Sequence, residues 1–275
     1  MHVDQRPVAF FDSGVGGLPY LAAARLLLPG ERFVYLADRA GFPYGTKTRE
    51  RVVELALHAI SGLVEETNPK ALVVACNTAT ELAIEEIRAA HPGIPVVGTV
   101  PAIKPAAALS KSRRIGVIAT PAAAAAEYLT DLAREWASDC IVVKIGDGTL
   151  VDFVEHEFIG STKEARLAAV RPGVDAMLAQ GVDAIVLGCT HFLHLADEFK
   201  EAAGPGVAIV DSRDGIAARL ETVLGSMRVP GVSSAPIVGE SMTEDRMYLT
   251  GAGDFGPIYA GFAAHFKLAC AGVLA

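Results

Sequence analysis

Short runs in which every residue is apolar, rather than every second one, set the strongest limit on what this chain can fold into. Val8-Ala9-Phe10-Phe11, Phe33-Val34-Tyr35-Leu36-Ala37, Ala71-Leu72-Val73-Val74 and Ala184-Ile185-Val186-Leu187 are of this kind. Arg114 to Ala119 and Ile141 to Ile145, each with one charged residue, and Ala208-Ile209-Val210 also read as strands, and Val96-Val97 is a shorter case. A strand that is apolar on both sides must be covered on both sides. That is the condition of a parallel sheet flanked by helices. The fold expected is therefore α/β, with mainly parallel sheets.

The intervening stretches read as helices, roughly 18–28, 48–66, 80–90, 122–134 and 164–180, with Pro172 expected to bend or interrupt the last. Tyr248 to Gly251 and a helix-like 256–273 close the chain, and Ser226 to Pro236 is the clearest loop. The two halves look related. Each carries a strand, a cysteine soon after it and then a threonine, Thr78 or Thr190. Two pseudo-symmetric domains are expected, one of 1–100 plus 212–275 and the other of 101–211, with Gly98 to Ala102 as a crossover.

Bulk composition excludes several classes. The 275 residues are 51% hydrophobic and 20% charged, which suits a soluble protein with an ample core. No apolar run is long enough to span a bilayer, so no membrane partner is expected. The N-terminus lacks a basic head followed by an apolar signal core, which points to the cytoplasm. A net charge of −8 argues against nucleic acid, whose backbone demands clustered Lys and Arg, but permits a small anionic substrate. The four cysteines, Cys76, Cys140, Cys189 and Cys270, are widely spread with no C-x-x-C pair. Neither a metal site nor a disulfide framework is expected, and a reducing compartment keeps the thiols free.

In parallel sheets, ligands bind at the carboxyl ends of the strands. Asp12, Asp38, Cys76, Thr120, Cys189 and Asp211 all fall at or just past such an end. The glycines of Asp12-Ser13-Gly14-Val15-Gly16-Gly17 let a backbone approach an anion, though the same residues would also make a plain strand-to-helix turn. Pro43-Tyr44-Gly45-Thr46-Lys47 could lay backbone amides and a Tyr hydroxyl along a carboxylate. Alone it is an ordinary turn.

The cysteines carry more weight. Ala75-Cys76-Asn77-Thr78 and Gly188-Cys189-Thr190-His191 each place a thiol after a buried strand, beside side chains that can donate hydrogen bonds. Such donors favour a thiolate, and two matched thiols suit removal of a proton from one face of a carbon and its return to the other. His191 can bond the thiol or move a proton near it. Asp12 close to a thiolate would raise its pKa, so it would work through a proton relay or a substrate ammonium. Glu155 is a further candidate, although taken alone it reads as an exposed helix position. Cys140 and Cys270 lack polar company and read as structural.

Taken together, these segments resemble the glutamate racemase family, within the cofactor-independent aspartate/glutamate racemases. Phe11 to Gly17, Leu36-Ala37-Asp38, Pro43 to Lys47, Ala75 to Ala79, Gly188 to Phe192, Asp211-Ser212 and the tail near Thr250-Gly251 follow the family pattern in order through most of the chain. The resemblance implies two α/β domains with the active site at their interface. It also implies interconversion of L- and D-glutamate with no cofactor, for peptidoglycan synthesis in a bacterial cytoplasm. Cys76 would act on the D-isomer and Cys189 on the L-isomer. Asp12, His191 and Glu155 match the assisting groups. Asp12, Ser13, Pro43, Tyr44, Gly45, Asn77, Thr78, Thr120, Thr190 and His191, with the two cysteines, match the substrate-binding set. The chain departs from the pattern where Thr120 is followed by Pro121 and the run Ala122 to Ala126, and at Leu193. A family member acting on another acid such as aspartate, or a silent ligand-binding paralogue, is therefore kept as an alternative. Family members associate in several ways, homodimers among them, and no interface stripe is evident.

Overall fold

The computed structural model describes residues 4–227 and 244–274. The described residues divide into two compact units, Met1–Thr99 with Arg213–Ala275, and Val100–Ser212.

The first unit is built on strands β1 (Val8–Asp12), β2 (Phe33–Ala37), β3 (Ala71–Val74) and β4 (Val96–Gly98), extended by β9 (Arg246–Thr250) and β10 (Ala269–Leu274). They form a six-stranded sheet in the order β10-β9-β2-β1-β3-β4, and every pairing is parallel. Helices α2 (Arg49–Thr67) and α3 (Asn77–Ala90) cover one face, where Ala9, Phe11, Leu36, Leu72 and Val74 meet Val52, Ala56, Ile60, Ala79 and Ala83. Helices α1 (Leu18–Leu27) and α10 (Arg213–Met227) pack on each other, and α1 lies against β2. The all-apolar strands are thus buried on both faces, as their composition requires. Thr48 caps α2 by accepting from the Arg51 N–H, and Asn68 closes it in a left-handed conformation.

The second unit repeats the plan with β5 (Arg114–Ala119), β6 (Ile141–Gly146), β7 (Ala184–Leu187) and β8 (Ala208–Val210), all parallel, in the order β6-β5-β7-β8. Second-first-third-fourth is also the order of β2-β1-β3-β4, so the two halves share a topology. Helices α4 (Ile103–Leu109) and α6 (Glu127–Trp136) supply Ile103, Ala106 and Leu129 to one face. Helix α8 (Lys163–Leu178) covers the other so closely that a Cβ on Gly116 would stand 2.6 Å from the Met177 sulfur.

Four local expectations change. The alanine-rich stretch is two helices, α5 (Pro121–Ala125) and α6, broken at the extended Ala126. Pro172 lies inside α8 and does not interrupt it, the second of the two outcomes expected there. The stretch 256–273 is a helix only over α11 (Gly256–His265). Its end becomes β10, because pairing with β9 outweighs the weak preference of Ala-Cys-Ala-Gly. Ser226 and Met227 belong to α10, and the remainder of the 226–236 loop lies outside the described residues. Helices α7 (Thr149–His156) and α9 (Ala196–Ala203) complete the second unit. No helix among the described residues is long and apolar enough to cross a membrane.

Candidate active site

In the order second-first-third-fourth, the chain reverses its winding direction between the first and third strands. Their carboxyl ends diverge there into a crevice. In the first unit these are the ends of β1 and β3. Backbone bonds from Ala75 N–H to Phe11 and from Asp38 N–H to Asp12 continue the ladder past the strands, setting Asp12, Asp38 and Cys76 side by side. Asp12 is wholly buried, and its Oδ1 accepts from Gly14 N–H at 2.7 Å and from the Ser13 hydroxyl at 3.4 Å. The Cys76 sulfur lies 3.7 Å from Ser13 Oγ.

Burial pushes the Cys76 thiol up to about 12, with the Asp12 carboxylate adding to the effect, while the Ser13 hydroxyl and the N–H groups of Ala79 and Ser13 oppose it. Asn77 and Thr78 follow in the first turn of α3, partly exposed.

Tyr44 opens a short 3₁₀ turn, Tyr44–Thr46, after the cis peptide Phe42–Pro43. Its side chain is buried and its hydroxyl donates to Asp38 Oδ2 at 2.6 Å. Asp38 Oδ1 accepts from Gly41 N–H at 3.2 Å and from the Thr250 hydroxyl at the end of β9. Burial, followed by the Asp38 carboxylate, drives the Tyr44 phenol far above its usual range. The proton of this hydroxyl, expected along a ligand carboxylate, is engaged by Asp38. The backbone of Tyr44 and Gly45 is what the turn has to offer.

In the second unit, Thr120 follows β5 and Cys189 follows β7. The Gly188 N–H bonds to the Ile118 carbonyl at 2.7 Å and the Asp147 N–H to that of Ala119 at 2.8 Å. The Thr120 hydroxyl caps α5, accepting from Ala123 N–H at 3.3 Å. Cys189, Thr190 and His191 are all buried at the start of a 3₁₀ helix, Thr190–Leu195. His191 Nδ1 lies 4.0 Å from the Cys189 sulfur, and its Nε2 lies 2.9 Å from Glu155 Oε2 on α7. Burial alone would lower the imidazole pKa. The bonds to Cys189 and Glu155 outweigh it and raise the pKa well above the ordinary value. Glu155, which taken alone reads from sequence as an exposed helix position, is only 1% exposed, and His191 is 3% exposed.

The two cysteines occupy matched positions. Each stands two residues beyond the third strand of its sheet and is the N-cap of the helix that follows. Their backbone angles nearly coincide, φ −126° and ψ 117° at Cys76 against −127° and 139° at Cys189. By contrast, Cys140 packs half-buried against the core of the second unit, with its sulfur 3.7 Å from Asp139 Oδ1 and so not without the polar company that the sequence denies it, and Cys270 is exposed on β10. Asp211 follows β8, partly buried. No group of three or more His, Cys, Asp or Glu side chains among the described residues is gathered to hold a metal ion.

Two contributors escaped the sequence reading. Tyr35 fits the apolar pattern of its strand, yet its hydroxyl bonds the Gly14–Gly17 turn. A tyrosine in a wholly buried strand is itself a signal, because its hydroxyl must find partners. Thr80, whose N–H bonds to the Cys76 carbonyl at 2.9 Å, is paired with Thr99: its Oγ1 donates to Val74 O at 3.1 Å and accepts from Thr99 N–H at 3.1 Å.

A family model described as Asp/Glu/Hydantoin racemase matches residues 20–220. The chain is 44% identical over 225 residues, 81% of each chain, to a glutamate racemase of Shewanella sp. (strain MR-7). It is 39% identical over 242 residues, 87% of this chain and 90% of the relative, to a glutamate racemase of Sphingopyxis alaskensis. Its structure is similar to that of Escherichia coli glutamate racemase in complex with L-glutamate and the activator UDP-MurNAc-Ala, with a TM-score of 0.84, 30% identity and 98% of each chain covered. The matched cysteines, the shared strand order and these likenesses agree: the chain belongs to the Asp/Glu/Hydantoin racemase family, among the glutamate racemases.

Proposed function

We propose that this protein interconverts L- and D-glutamate with no cofactor, Cys76 and Cys189 acting as base and acid on the same α-carbon. The observation that carries the reading is the matched placement of the two thiols, each capping a helix beyond the third strand of its sheet. Starting from D-glutamate, the Cys76 thiolate takes the α-proton and becomes a thiol. The C–H electron pair stays on carbon, delocalised into the carboxylate. The Cys189 thiol then gives its proton to the opposite face and is left as thiolate. The reverse reaction begins from that state.

An amino-acid α-hydrogen is a very weak acid, so the site must supply donors fixed where charge develops and must exclude water. Ser13, Asn77, Thr78, Thr120 and Thr190, with the Pro43-Tyr44-Gly45 turn, are assigned to the substrate's charged groups. Without substrate, burial and the Asp12 charge keep Cys76 protonated. A substrate ammonium beside Asp12 would cancel the second effect and allow the thiolate to form in the complex. On the other side the His191 ring stands between Glu155 and the Cys189 sulfur, placed to move a proton near that thiol. The product would supply peptidoglycan synthesis in a bacterial cytoplasm.

The test is α-proton exchange in D₂O with L- and D-glutamate and no added cofactor. Deuterium should enter both enantiomers, and Cys76→Ser and Cys189→Ser should each abolish racemisation. Full turnover in both variants would sink the mechanism. A second reading, the same chemistry on another acid such as aspartate, draws on 120–126, where the Thr120 hydroxyl is engaged as a cap and alanines follow. Exchange into aspartate and none into glutamate would establish it instead.

A further inference from the structure

Tyr35 is 0% exposed in β2, and packing alone would be served equally by phenylalanine. Its hydroxyl instead donates to the Gly14 carbonyl at 2.8 Å and accepts from the Gly17 N–H at 3.1 Å. These are the two ends of the turn that leads from Ser13 into α1. Gly14 is held from its other side as well, its N–H donating to Asp12 Oδ1 at 2.7 Å. The turn has no slack at Gly17, where a Cβ would lie 2.7 Å from Ala75 Cβ and 3.0 Å from the Tyr35 hydroxyl oxygen. Ala75 in turn precedes Cys76, and Ser13 Oγ lies 3.7 Å from the Cys76 sulfur.

We infer that Tyr35 is a positioning residue for the Cys76 half of the reaction: by clamping Gly14 and Gly17 it fixes where Asp12 and Ser13 stand about that sulfur. The inference rests on the two-thiol reading above. It goes beyond that reading by giving one proton transfer, and not the other, a support outside the residues that touch substrate. The clamp is rigid because both bonds are buried and both reach backbone, which cannot swing away as a side chain could.

The two enantiomers have equal free energy in water, so kcat/KM must fall equally in both directions whichever thiol is impaired. A turnover number therefore cannot locate the defect, whereas substrate isotope effects can. Tyr35→Phe should lower kcat/KM about tenfold, as loss of a buried hydrogen bond from the transition state does. With α-deuterated glutamates, the isotope effect should rise for the enantiomer whose proton Cys76 removes and fall for the other. A loss of folded protein, or a general loosening, would scale the rates and leave both isotope effects in place.

Ser13→Ala, which keeps both Tyr35 bonds, should displace the isotope effects in the same opposed sense. Adding Tyr35→Phe to it should cost much less than tenfold, because the two act in series. Replacing Tyr35 by p-aminophenylalanine, whose amine can donate to the Gly14 carbonyl but accepts poorly from the Gly17 N–H, should restore the wild-type isotope effects only in part. Isotope effects that move together in Ser13→Ala would overturn the role of Tyr35 whether or not Tyr35→Phe folds, and full additivity of the two substitutions would overturn it where that variant folds. A wild-type protein inert toward both enantiomers would remove the racemase reading and this inference with it. An active wild type with unmoved isotope effects in Tyr35→Phe would remove the inference alone.

Discussion

Glu155 Oε2 lies 2.9 Å from His191 Nε2, and the two side chains are only 1% and 4% exposed. A buried pair of this kind costs desolvation and is destabilising to break by halves, since one charge is left behind. Glu155→Gln should therefore lower stability by about 1.5–3 kcal/mol near pH 6. The sign of the pH dependence follows from His191. Its folded-state pKa is raised, so the contribution is fully present below the ordinary value of 6.5 and is lost as pH rises through the folded value. Urea midpoints of wild type and variant should converge as pH rises above 6.5. A gap that widens would contradict the assignment.

Asp12→Asn removes one of the charges that hold the Cys76 thiol protonated, but not the burial that is the larger cause. The Cys76 pKa should fall from about 12 yet stay above the unperturbed 9.0. The difference in thiolate ultraviolet absorbance between each protein and its Cys76→Ser counterpart measures this directly. An unchanged or higher value in Asp12→Asn would refute the coupling. Wild-type stability gained from the neutral thiol should be lost as pH climbs from 9.0 toward 12.

Asp38 joins the Tyr44 turn to Thr250 at the end of β9. Tyr44→Phe should cost about 1.5–3 kcal/mol in chemical denaturation, the loss of a hydrogen bond to a buried carboxylate. Thr250→Val should cost a similar amount. Both strip the same carboxylate, so the double variant should deviate from additivity by more than about 0.5 kcal/mol. Simple addition would show that the Asp38 bonds work independently.

Gly188, which precedes Cys189, leaves little room for a side chain. A Cβ there would stand 3.0 Å from the Ile118 carbonyl oxygen and 3.1 Å from Val117 Cγ1. The oxygen belongs to β5 and cannot yield without moving the strand. Gly188→Ala should lower stability by about 1–3 kcal/mol. It should also depress kcat by more than it changes KM, because the strain falls on the thiol's own support. Wild-type kcat in a folded Gly188→Ala protein would show that the close approach is incidental.

Much of the scaffold is legible in the composition of short segments. Val8 to Asp12, Ala71 to Val74 and Ala184 to Leu187 become buried parallel strands because only a doubly covered sheet accepts side chains apolar on both faces. Thr48 marks the start of α2 because its hydroxyl can take an orphan N–H. Elsewhere local pattern carries too little. The run Ala122 to Ala126 has no periodicity to show where one helix ends and the next begins, and Ala269 to Leu274 is a strand only because β9 is there to pair with it.

Among the site residues, the cysteines were visible as repeated strand-end motifs, whereas the surroundings of Glu155 were not. A carboxylate on a short helix looks the same in sequence whether it meets water or an imidazole. Its partner His191 lies 36 positions away and comes from another element. Tyr35 was hidden for a related reason: its ring obeys the apolar pattern, and only its hydroxyl does something else.

By itself, then, the amino-acid order determined the strands, their parallel sense and the places where thiols emerge from them, because burial on two faces and chain reversal after a strand are local demands. Which polar atoms meet was decided only by tertiary structure. The bonds from Asp38 to Thr250, from Glu155 to His191 and from Tyr35 to Gly14 each join separate elements. A hydrogen bond forms within a few tenths of an ångström or not at all, and that precision comes only from the packed whole.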